Sequence, residues 1–155
     1  MSEVIDIAVD LGAVRAGLPA IEFLCDFAAH VPAPPSQVID GVLHRGCKMI
    51  LAGTSKSNKS WFLLDLAISV ASGQAWWGRR CEWVPVVYVN FELPQWAMAQ
   101  RIGAMCHARP ECEDFGLNLN LFNLRGHNED WTLLRPKLEE QLIRHQFGLV
   151  ILDPA

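Results

Sequence analysis

Gly53-Thr54-Ser55-Lys56-Ser57-Asn58-Lys59-Ser60 follows the apolar run Lys48-Met49-Ile50-Leu51-Ala52 and opens a second apolar stretch over 60–72. The octet is the phosphate-binding pattern G-x-x-x-x-G-K-[ST], the Walker A motif, with Asn58 in the place of the second glycine. That glycine normally takes a positive φ, and asparagine is one of the few other residues that enter the left-handed region at modest cost. In such a loop, backbone N–H groups and the following helix N-terminus enclose a β-phosphate. Lys59 reaches the β- and γ-oxygens as a point charge, and Ser60 ligates Mg²⁺. Gly53, Thr54, Ser55, Lys56, Ser57, Asn58, Lys59, Ser60 and Trp61 are therefore the expected ligand-binding set. An ordinary polar turn would fit the octet alone. Its position between a strand-like run and an apolar helix is what phosphate binding requires.

Working outward, strands and helices alternate. Residues 48–52 read as a buried strand and 60–72 as a helix. Residues 84–91, β-branched and aromatic, read as a second buried strand, and Pro94 suits the first turn of a helix running to about 107. A third strand is expected at 119–124. Asp130 is placed to cap a helix over 131–146, and 148–153 is a fourth strand. The succession predicts an α/β fold, a parallel sheet with helices on both faces. Before it, residues 1–37 read as an N-terminal segment. It holds an amphipathic piece at 19–29 and the stiff linker Val31-Pro32-Ala33-Pro34-Pro35-Ser36, so the compact domain is expected over 38–155.

Two carboxylates stand at strand ends. Phe147-Gly148-Leu149-Val150-Ile151-Leu152-Asp153 is an aliphatic strand closed by an aspartate, as in a Walker B strand whose carboxylate holds magnesium opposite Ser60. By itself this also describes a common turn start. Glu92 ends Val86-Val87-Tyr88-Val89-Asn90-Phe91-Glu92, and the C-terminal ends of parallel strands line the ligand crevice. There it would orient the attacking water and accept its proton. The competing role is a helix-end carboxylate that complements the dipole of the helix after Pro94. Asn90 and Arg125 also lie at or just past strand ends, where holding a loop is the simpler role for each.

Composition limits the partners. The 155 residues carry a net charge of -4, with 19% charged and 51% hydrophobic residues, enough for a core but without a basic field for a polyanion. The five cysteines form no CxxC pair, and Cys106-His107 matches no zinc spacing, so no metal is assigned to them and a reducing cytoplasm is the expected compartment. No apolar stretch approaches the ~20 residues of a membrane span, and Met1-Ser2-Glu3 lacks a basic signal-peptide front.

Several segments together resemble a known family. Ile39-Asp40-Gly41-Val42-Leu43-His44, the run from Leu51 through Trp61, Leu66-Ala67-Ile68-Ser69-Val70-Ala71-Ser72-Gly73, Val87-Tyr88-Val89-Asn90-Phe91-Glu92, Asn123-Leu124-Arg125-Gly126 and Val150-Ile151-Leu152-Asp153-Pro154 are similar to the AAA-25, RepA-like group of RecA-type P-loop ATPases. The likeness covers about 34–155. It implies ATP and Mg²⁺ as ligands, a homo-oligomer (a hexamer) with ATP hydrolysed between subunits, and single-stranded DNA as a partner of a helicase-like motor. It assigns Lys59 and Ser60 to phosphate and metal, Glu92 to catalysis and Asp153 to the Walker B position. Asn58 departs from the usual glycine. Family members continue beyond this strand with a sensor, DNA-facing loops and an arginine finger, so the chain reads as truncated after Walker B. The alternative is a non-catalytic nucleotide-binding or interaction fragment. Pro154, not glutamate, follows Asp153, which speaks against an AAA+ remodelling enzyme, and no acceptor or lid residues of a small-molecule kinase are recognisable.

Overall fold

The computed structural model describes residues 4–7, 21–54, 56–127 and 129–153. In chain order they form β1 (Val4–Ile7), α1 (Leu24–Ala29), β2 (Gln37–Ile39), β3 (Leu43–His44), β4 (Met49–Ala52) and α2 (Lys59–Ser72). Then follow β5 (Val86–Asn90), α3 (Gln95–Ala108), a 3-10 helix at Pro110–Leu117, β6 (Leu119–Asn123), α4 (Trp131–His145) and β7 (Leu149–Asp153).

The main sheet has the order β4-β1-β7-β5-β6. β5 runs parallel to both β6 and β7, while β1 is antiparallel to β4 and to β7. Two reversals cancel, so β4, β5, β6 and β7 point the same way and their C-terminal ends share one edge. The sequence reading starts the domain near Val38; the sheet also takes in Val4–Ile7 from the segment before it. Two strands flanking a gap present unpaired N–H and C=O groups, and β1 pairs them on both sides.

Strand periodicity divides the core. Val86, Tyr88, Leu149 and Ile151 face one side and pack with Leu63, Leu64, Leu66 and Ala67 of α2 and Met98 of α3. Val87, Val89 and Val150 face the other side against Leu134, Leu138 and Leu142 of α4. Their i, i+4 spacing places those three leucines on one stripe. Helices therefore cover both faces, as the alternation predicts, and β5 is buried along its whole length.

Two local expectations need correction. β4 was expected to be buried, yet Ile50 is 57% exposed. The strand is at one edge of the sheet, and only its Met49 and Leu51 side packs on the core. Pro94 is the N-cap of α3 and not part of its first turn: its φ of -63° and ψ of 150° are extended, and helical geometry starts at Gln95. The hairpin β2–β3 and the 3-10 helix have no counterpart in the sequence reading. Val38, Ile39 and Leu43 of the hairpin are nevertheless core residues, fastened to the 80–82 segment by Asp40 N to Arg80 O at 3.0 Å and Glu82 N to Val38 O at 2.9 Å. Asp130 caps α4 as expected, accepting from Thr132 N at 2.8 Å.

Candidate nucleotide site

The phosphate loop leaves β4 at the shared C-terminal edge and enters α2. Asn58, the N-cap of α2, has φ 61° and ψ 25°, the left-handed conformation for which glycine is the usual residue. Its side chain makes no capping bond, so the N–H groups of the first turn are left for another acceptor. Such a helix start is an anion site by its geometry and dipole. Gly53 sits close under the loop: a Cβ there would lie 2.6 Å from Ser57 Oγ, so the Ser57 side chain would have to turn away. Lys59 Nζ turns back over the loop, donating to Gly53 O and Thr54 O at 3.1 Å each. The hold on the loop by α2 is firm, because nine of its residues, from Ser60 to Ala71, are buried.

The carboxylates come from two other strand ends. Asp153 closes β7 and is only 1% exposed. Asn90 lies opposite it at the end of β5. Fully buried, Asn90 ties the turn after β5, donating to Leu93 O at 2.7 Å and Asn123 Oδ1 at 2.9 Å and accepting from Leu93 N at 2.9 Å. That clasp holds the turn that carries the exposed Glu92, which gives Asn90 the loop-holding role expected of it. Arg125 lies exposed in the turn after β6 and does not reach the site.

Lys56, Ser57, Asn58, Lys59, Ser60 and Trp61 line a cavity of about 280 Å³ together with Glu92, Arg101 and Asp153. Loop, Glu92 turn and β7 thus converge from separate strands. Gly53 and Thr54 support the site through their carbonyls and are not among these lining residues; Ser55 lies outside the described residues. Arg101 escaped the sequence reading. It sits on α3, with its guanidinium 5.2 Å from the ring centre of Trp61. No local pattern marks it; the packing of α3 on α2 brings it to the cavity. Among the described residues no cluster of three or more His, Cys, Asp or Glu residues suits a metal ion. The polar set fits Mg²⁺ in another manner, through one hydroxyl and one carboxylate completed by water and phosphate oxygens.

A strand, a phosphate loop with a left-handed residue before its lysine, a buried helix and an opposing strand-end aspartate define a P-loop nucleotide-binding domain. The family model for an AAA domain, AAA-25, matches residues 15–155, and the chain belongs to that family. Comparison with curated proteins and with solved structures gave no match. No helix among the described residues is long and apolar enough to cross a membrane.

Proposed function

We propose that the protein binds ATP with Mg²⁺ and hydrolyses it, as a subunit of a RepA-like DNA helicase or DNA-associated motor. The observation that carries the ATPase reading is the convergence of Lys59, Ser60, Glu92 and Asp153, from three strand ends, on one cavity. The DNA-associated part rests on family likeness, as do the hexameric assembly and single-stranded DNA as a partner.

Each residue has a task that follows from its place. The first-turn N–H groups of α2 donate to phosphate oxygens, and Lys59 exchanges its two loop carbonyls for the β- and γ-phosphates. Ser60 and Asp153 would hold Mg²⁺, which when bound neutralises charge on the β- and γ-oxygens. Glu92, on its tied turn, orients water toward the γ-phosphate and accepts the proton. Arg101 adds a cation on the α3 side of the cavity.

The test is Lys59→Ala with ATP binding measured by calorimetry. Affinity is expected to fall by about 100-fold or more, since a charge-assisted contact to two phosphates is lost, while circular dichroism is unchanged. Equal ATP affinity in a folded variant would remove the site from this loop.

A further inference from the structure

Tyr88 is the only tyrosine in the chain, and it is fully buried. Its hydroxyl donates to Asp153 Oδ2 at 2.5 Å. The register that sets Asn90 against Asp153 sets Tyr88 against Ile151, so the ring stands two residues back on β5 and on the same face of the sheet as Asp153. A carboxylate buried at a strand end needs a donor, and this one comes from the core side while the aspartate also lines the nucleotide cavity. The contact engages one oxygen and restrains rotation of the carboxylate.

We propose that Tyr88 is a positioning residue: its hydroxyl sets the orientation of Asp153 toward the magnesium side of the nucleotide, so the magnesium-linked part of affinity runs through it. This rests on the reading of Asp153 as the magnesium-side carboxylate. Hydrogen bonds behind a metal ligand typically change metal affinity by about 10–100-fold when removed.

The experiment is Tyr88→Phe, with ATP binding titrated by calorimetry in EDTA and over a series of Mg²⁺ concentrations. The magnesium concentration giving half of the affinity gain should rise about tenfold, with binding in EDTA kept within about twofold. In an Asp153→Asn background the same substitution should add nothing. An unmoved magnesium midpoint, or an equal loss with and without magnesium, overturns the proposal. Should Tyr88→Phe fail to fold, 3-fluorotyrosine incorporation places one ¹⁹F signal in the whole chain. That signal should shift when Mg²⁺ joins the ADP complex, and a stationary signal overturns the proposal. Lys59→Ala separates the two failures. If it spares ATP binding, the site reading falls and this inference with it; if it abolishes binding while the Tyr88→Phe midpoint stays put, only the role of Tyr88 falls.

Discussion

The two strand–helix units that build the site are buried in opposite ways. In the first, β4 is an edge strand of the sheet with Ile50 exposed, while α2 is packed along most of its length. In the second, β5 is buried at every position, while α3 buries only Met98. Lys59 and Ser60 therefore ride on an anchored helix, while Glu92 rides on the turn after β5 and Arg101 on a helix that packs on α2 and the 3-10 helix. Under the proposed function, nucleotide binding falls to the more buried helix and hydrolysis to the less buried one. A binding loop gains from a fixed set of N–H groups, whereas a catalytic turn has to adjust as the nucleotide and a neighbour close around it.

The largest expected effect breaks the two units apart. Glu92→Gln keeps size and hydrogen bonding but removes the base, so ATP should bind normally while hydrolysis at saturating ATP falls by about 10²–10⁴. A wild-type rate would reduce Glu92 to a charge at the start of α3 and end the division of labour. Next comes packing. Leu66→Ala on α2 should cost about 2–5 kcal/mol in urea unfolding, because the side chain is wholly buried. Gln100→Ala, on the exposed side of α3, should stay within about 0.5 kcal/mol. Hydrogen exchange on the same protein should find α2 amides protected close to the global limit and α3 amides released earlier. Equal protection of the two helices would erase the contrast.

The smallest effect sharpens the comparison at the loop itself. Asn58→Gly relieves a left-handed asparagine, at about 0.5–1 kcal/mol or less, and removes a side chain beside the phosphates. ATP affinity should be equal or improved. A large loss in a nucleotide titration would mean that the Asn58 side chain holds the ligand directly.

Much of this was legible in the chain itself, for local reasons. The octet from Gly53 to Ser60, the aliphatic run ending at Asp153 and the β-branched run before Glu92 each announce their element by composition over a few residues, and each element formed within a residue or two of its expected place. Asparagine before the lysine was readable as a glycine substitute, because its tolerance of positive φ is a property of the residue.

Partnership between distant segments is a different kind of information. Nothing in Val4–Ile7 says that it pairs with β4 and β7, because pairing depends on which backbone edges are left open once the other strands are in place. Nothing around residues 49–52 says that their strand lies at an edge, and so an apolar run read as buried has one face uncovered. Arg101 drew no reading from the sequence, and Tyr88 was read only as part of its strand. Register and packing decided that the first lines the nucleotide cavity and the second donates to Asp153. The sequence by itself determined which elements form and where the phosphate-loop motif lies between them, since those follow from local propensity and pattern. Only the tertiary structure decided strand order, burial and the two helpers of the site, since these depend on contacts between residues far apart in the chain.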